Sequence, residues 1–169
     1  VYPASKEDQS TIARGFVARS ECRFDNCAGC IDGMLLWVEQ PSQASAVSAG
    51  VGPKKFYCGR KHKFGLNLQA VCDANRRFID LSILNPGSAS DYLSFVTSEL
   101  YRSLSSKPDF LKAGLTIYGD NAYINNHFMT VPFSNAVGVK DDFNFYHSQV
   151  RINIECTFGI FTSRWRILK

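Results

Sequence analysis

Three carboxylates sit in surroundings where an acid is costly. Asp32 interrupts the apolar run CAGCIDGMLLWV (27–38), Asp120 ends the β-rich run LTIYG (115–119), and Glu155 lies one position off an apolar helical stripe. A charge placed among apolar neighbours is unfavourable unless a cation or strong hydrogen-bond donors compensate it. Divalent metals would do so, and the chemistry they support is specific. Two ions about 4 Å apart can activate a nucleophilic oxygen and stabilise the leaving oxygen of a phosphodiester in an in-line displacement. Magnesium, or manganese in its place, takes hard oxygen ligands and keeps several waters, so a few carboxylates from separate elements suffice. In such a site Asp32, on a central strand, is expected to bridge both metals, with Asp120 on one and Glu155 on the other.

Each acid also has an ordinary explanation. Asp32-Gly33 is a common hairpin pair, Asp120 before Asn121 can be a loop acid, and Glu155 can pair with Arg151 one turn earlier. Taken singly, these accounts suffice. The joint placement of the three on a strand, a strand end and a helix favours the metal site.

The elements that must position these acids follow from hydrophobic period. Residues 27–38 read as a central strand buried on both faces. Residues 64–73 alternate, with Phe64, Leu66, Leu68, Ala70 and Cys72 on one face and Asn67, Gln69 and Asp73 on the other. Residues 77–84 alternate again, and the short link Ala74-Asn75-Arg76 predicts an antiparallel hairpin. A short helix is expected over 5–18, and a flexible loop over 41–53, where PSQASAVSAGVGP has no period. Ser90 is a fair N-cap for one helix carrying Leu93, Val96, Leu100 and Leu104. Residues up to about 145 read as irregular, with a short strand near 136–139. A final helix carries Val150, Ile154, Phe158, Phe161, Trp165 and Leu168 on one stripe.

Charge is mild overall, +4, but unevenly spread. Lys54, Lys55, Arg60, Lys61 and Lys63 lie with His62 in ten residues that hold no acid and are interleaved with Phe56 and Tyr57; Arg164, Arg166 and Lys169 close the chain. This pattern suits a phosphate-facing surface. Charge alone does not separate it from a solvated basic loop.

At 169 residues, 45% hydrophobic and 20% charged, the chain is expected to form a single folded domain over 1–169. Val1 is not a start methionine and an apolar helical pattern runs almost to Lys169, so a piece of a longer chain is expected. No segment approaches a membrane span, and residues 1–20 lack a signal-peptide core, which predicts a soluble, intracellular protein with no membrane partner. The six cysteines, Cys22, Cys27, Cys30, Cys58, Cys72 and Cys156, then read as free, mostly buried thiols. Cys27-x-x-Cys30 could serve zinc or redox chemistry, but His62, His127 and His147 offer no second ligand pair.

Five segments in this order, CAGCIDGM (27–34), FYCGRKHKFGLNLQAVCDANRRFID (56–80), NPGSASD (85–91), YGDNAY (118–123) and FNFYHSQVRINIECTFGIFTSRWRIL (143–168), resemble the DDE endonuclease domain of PIF/Harbinger transposases. The likeness covers nearly the whole chain from about residue 13. It implies an α/β fold, a ribonuclease H-like mixed β-sheet with flanking helices, in which the acids of IDG, GDNAY and IECTFG form the catalytic triad: Asp32, Asp120 and Glu155. Residues 121–154, thirty-four in all, separate the last two, similar to many DDE recombinases. It also implies cleavage and strand transfer at transposon ends in the nucleus, with a separate Myb-like DNA-binding protein as accessory and a homo-oligomer as one possible assembly.

The chain departs from that pattern in lacking a helix-turn-helix segment before the domain, and in stopping after RWRIL where relatives continue into another helix. Asp73, Asp80 and Asp91 also fall in matching motifs. Asp73 reads as a hairpin acid and Asp91 as favourable to a helix dipole, with support of the catalytic site as the alternative for either. The rival to catalysis is a domesticated transposase that keeps the fold and binds DNA or protein without cutting. A nuclease that cuts without joining would use the same residues.

Overall fold

The computed structural model describes residues 1–20, 24–48 and 50–165. The apolar run around Asp32 forms β1 (Cys27–Trp37), whose first five residues are buried and whose remainder is mostly half-buried. β3 (Lys63–Cys72) lies antiparallel to β1, from Cys30 opposite Cys72 to Trp37 opposite Gly65. β4 (Phe78–Pro86) pairs antiparallel with β3. The hairpin between them turns on Asp73, whose Oδ1 accepts the Asn75 and Arg77 N–H groups at 2.8 and 2.9 Å, while Arg76 takes a left-handed φ of 61°. A short β2 (Tyr57–Cys58) pairs with the start of β3.

On the other side of β1 the direction changes. β5 (Thr116–Tyr118) runs parallel to β1, and β6 (Met129–Thr130) parallel to β5. The six-stranded mixed sheet, with three long antiparallel strands, the two-residue antiparallel β2, two short parallel strands and helices on both faces, is a ribonuclease H-like α/β fold. The β5 ladder partners on β1 are Cys27 and Cys30, before Asp32. Among the described residues, β1 beyond Asp32 therefore has a strand neighbour on one side and an open edge on the other.

Strand alternation gives the sheet two cores. On one face α1 (Lys6–Val17) and α5 (Val139–Arg164) bury Phe16, Val150, Ile154 and Phe158 against Cys30, Leu68, Ala70, Cys72 and Tyr118. On the other, α3 (Asp91–Val96) and α4 (Glu99–Ser106) bury Phe95, Leu100 and Leu104 against Ile31, Val71 and Ile117. Ile154 is fully buried at the α5–sheet contact. Ile154→Ala is expected to cost about 2–5 kcal/mol, read as a lower urea midpoint at unchanged m-value; a loss under 1 kcal/mol would mean that α5 is not anchored there.

Several expectations change. The expected loop at 41–53 contains α2 (Gln43–Ser48), with Ala46 fully buried, and a 3-10 turn at Pro53–Phe56. Buried contact, which leaves no period in six residues, stabilises that helix. The single helix expected after Ser90 is two, because Ser98 accepts the Tyr101 N–H and starts α4 afresh; Leu93, placed on the packed stripe, is about half exposed. The strand expected near 136–139 is instead β6, and α5 already begins at Val139. Trp165 is exposed, and Leu168 lies outside the described residues. The polar face of β3 is not a solvent face: Asn67 and Gln69 are buried. Of the cysteines, Cys27, Cys30 and Cys72 are buried free thiols and Cys58 and Cys156 half-buried ones, while Cys22 lies outside the described residues.

Candidate active site

The open edge of β1 is one wall of a cleft of about 440 Å³, lined by Asp32, Gly33, Leu35, Asp91, Asp120 and Arg60, with Trp37, Lys61 and Thr162 also on its surface. Asp32 arrives from β1 on the α5 face of the sheet. Its Oδ1 accepts the N–H of Gly33 at 2.7 Å and its Oδ2 accepts Arg151 Nη1 at 3.1 Å. Burial holds its carboxyl up at about 6 against an ordinary 3.8; the Gly33 N–H and Arg151 oppose the rise, and Asp120 and Asp91 add to it. Asp120 follows the last residues of β5, where the parallel strand stops, and its Oδ1 closes a tight turn onto the N–H of Ala122 at 2.9 Å. Ends of strands are where open α/β sheets present reactive groups.

Glu155 is half-exposed on α5, one turn after Arg151. Arg151 Nη2 donates to its Oε1 at 2.5 Å while Nη1 holds Asp32, so one guanidinium spans both acids. The pairing of Glu155 with Arg151, weighed from spacing as an ordinary helix contact, is present and does more than expected. Burial works against the charge on Arg151, yet Asp32, Glu155 and Asp120 together raise its pKa.

All three sequence-selected acids thus surround Arg151: two bind it directly and Asp120 acts through space. Among the described residues, no three His, Cys, Asp or Glu side chains form a group that could hold a metal ion as they stand. The donor chemistry nevertheless fits a cation. Asp32 and Glu155 already converge on one positive group, and their oxygens, with those of Asp120, are the hard ligands that Mg²⁺ and Mn²⁺ prefer.

The basic residues divide. Arg60 and Lys61 line the cleft, and Lys63 places its Nζ 3.0 Å from the centroid of the ring of Trp37, another lining residue. Lys54 and Lys55 project from the exposed 3-10 turn; Arg164 ends α5, exposed, and Arg166 lies outside the described residues. Periodicity pointed to neither the two-acid span of Arg151 nor the buried amides beside Asp91. The one signal was Asn67 and Gln69 alternating on a strand whose opposite face is fully apolar. The Cys27-x-x-Cys30 pair belongs to the core: its sulfurs are 4.0 Å apart, Cys30 donates to the carbonyl of Val150, and burial pushes the Cys30 thiol well up. His147 is buried too, stacked on Tyr118, and burial lowers its pKa.

A family model described as DDE superfamily endonuclease matches residues 31–169, which include Asp32, Asp120 and Glu155. The chain belongs to this family. No curated protein and no solved structure matches it. The cleft of this DDE endonuclease combines three half-buried acids, Asp32, Asp91 and Asp120, with two exposed cations, Arg60 and Lys61. Among the described residues of this DDE endonuclease no helix is long and apolar enough to cross a membrane.

Proposed function

We propose that this DDE endonuclease is a transposase of the PIF/Harbinger kind, which cuts DNA at transposon ends and joins the cut ends to a target by a mechanism dependent on two divalent metals. The observation that carries the reading is the convergence of Asp32 and Glu155 on one guanidinium, beside a cleft that Asp32 and Asp120 line. Asp32, Asp120 and Glu155 would hold Mg²⁺ or Mn²⁺, with Arg151 leaving Asp32 and Glu155 to do so. Bound there, the metals would activate the attacking oxygen and stabilise the departing one. The chain itself supplies the rest. Arg60 and Lys61 attract the phosphate backbone to the cleft, and the short β5 keeps the β1 edge open to it. In cleavage a water oxygen bonds to phosphorus as the P–O3′ bond breaks; in transfer the freed 3′-hydroxyl attacks a target phosphate in the same way. Action in the nucleus with a Myb-like DNA-binding partner belongs to the same reading.

One observation favours a second reading. Arg151 already neutralises Asp32 and Glu155, which suits a domesticated protein that binds DNA without cutting it. Supercoiled plasmid separates the two. Nicking is expected with Mg²⁺ or Mn²⁺, and Asp120→Asn should lower its rate by roughly 10³-fold or more, leaving salt-sensitive DNA binding in place. Binding without metal-dependent nicking, in the wild type as in the variant, supports the second reading.

A further inference from the structure

Asp91 is the acid of the cleft whose orientation its own helix does not explain. Ser90 already caps α3, accepting the Leu93 N–H at 3.2 Å, and the Asp91 carboxylate turns instead to β3. Its Oδ1 accepts Asn67 Nδ2 at 3.0 Å and Gln69 Nε2 at 3.3 Å. These amides are themselves fixed: Gln69 Nε2 also donates to Asn67 Oδ1 at 2.8 Å, and the Tyr123 hydroxyl donates to Gln69 Oε1 at 2.7 Å. Asn67, Gln69 and Tyr123 are 7%, 3% and 4% exposed. A buried polar chain of this kind is tolerated only when its members are paired, and it fixes the geometry of what it ends on. It ends on one oxygen of Asp91.

The other oxygen is differently placed. Oδ2 faces Arg60 Nη2 at 3.7 Å, a mostly exposed side chain beyond ordinary hydrogen-bond distance, whereas the Asp91 side chain is only 13% exposed. The carboxylate is thus nearly withdrawn from water, held rigidly by one oxygen and loosely compensated at the other. Its approach to β1 depends on Gly33, the residue after Asp32. A Cβ at position 33 would lie 1.9 Å from Asp91 Oδ1 and 2.6 Å from Gln69 Nε2.

We propose that Asp91 is a further ligand of the cleft, with Oδ1 anchored by the Asn67–Gln69–Tyr123 chain so that Oδ2 is presented to a divalent cation held jointly with Asp32 and Asp120. This rests on the reading that the cleft binds divalent metal, and it adds a fourth carboxylate, from the α3 face of the sheet, to the three selected from sequence. Asn67, Gln69 and Gly33 are then positioning residues, acting through Asp91.

Asparagine at 91 can accept the same two amide hydrogens through its own Oδ1 and puts an uncharged NH2, a donor that cannot ligate a cation, in place of Oδ2. Mn²⁺ titration of the full chain, with free Mn²⁺ followed by electron paramagnetic resonance, is expected to show binding at least about tenfold weaker in Asp91→Asn than in wild type, with no fall in the metal-free melting temperature. Gly33→Ala, which displaces the carboxylate without removing it, should weaken Mn²⁺ in the same direction and serves as the deciding variant if Asp91→Asn fails to fold. Wild-type Mn²⁺ affinity in the folded variant overturns the assignment of Asp91. If Asp120→Asn loses Mn²⁺ in that same experiment, the reading of the cleft survives, whereas a wild type that binds no Mn²⁺ overturns both.

Discussion

Asp32→Asn is expected to remove strand cleavage and, in the same protein, to make the metal-free fold more stable above pH 6. The first effect follows from taking away the carboxylate on the central strand and should exceed roughly 10³-fold in nicking rate. The second follows from its titration. Burial, first among the causes, holds Asp32 at about 6 in the fold against 3.8 for the ordinary group. Between those values the folded chain keeps a proton that the unfolded chain has released, so the native state binds more protons and stability falls as pH rises through the window. Below it the acid is protonated in both states and the cost is absent; above it the cost is fully present. About two units correspond to roughly 3 kcal/mol as an upper figure. Asparagine does not ionise, so the variant should gain up to that amount at pH 8 and almost nothing at pH 3.5. Urea denaturation at the two pH values measures the difference. Equal or lower stability of the variant at pH 8 would mean that Arg151 compensates Asp32 completely and that no unmet negative charge awaits a metal.

The second large effect concerns DNA. Replacing Lys54, Lys55, Arg60, Lys61 and Lys63 together with alanine should flatten the dependence of log affinity on log salt. Each phosphate contact contributes about 0.9 to that slope, so five contacts amount to a change of about four to five, with affinity at moderate salt lower by several powers of ten. Arg60 and Lys61 line the acid cleft, and Lys54 and Lys55 stand on the exposed 3-10 turn that packs against β2 and β3; on the proposed reading the five form a path for DNA to the acids. Arg164→Ala, at the far end of α5, should change the slope by about one at most. Filter binding over a salt series gives both values; a slope unchanged in the fivefold variant places the path on a surface that DNA does not touch.

The sequence made β1, β3, β4, α1 and most of α5 legible, β1 from a continuous apolar run and the others from a sustained period, although the apolar face read for β4 is not buried, since Leu81 and Ile83 are about half exposed. The β3–β4 hairpin could be read to within two residues at each strand end, with Asp73 closing its turn by two backbone bonds. Short elements were not legible. α2 and β6 have six and two residues, too few to carry a period, and depend on tertiary contact. The break between α3 and α4 was hidden because Leu93, Val96, Leu100 and Leu104 keep helical spacing across it, while Ser98 restarts the chain.

The same division holds for the site. Asp32, Asp120 and Glu155 could be selected because each is out of place in its own segment. The role of Arg151 could not, because its bond to Asp32 joins residues 119 positions apart. Nor could the fixing of Asp91, which depends on Asn67 and Gln69 being buried although they alternate as a solvent-facing pair would. Period reports which face a residue occupies; it does not report what covers that face.

The proposed nuclease requires the carboxylates around Arg151 to form a binding place for divalent metal. Crystals soaked in Mn²⁺ at pH 8 and measured at the manganese absorption edge test it directly. Anomalous density against the carboxylates of Asp32 and Asp120, with the Arg151 guanidinium turned away from Asp32, is the predicted result. A guanidinium still spanning Asp32 and Glu155, with no manganese in the cleft at saturating concentration, would contradict it.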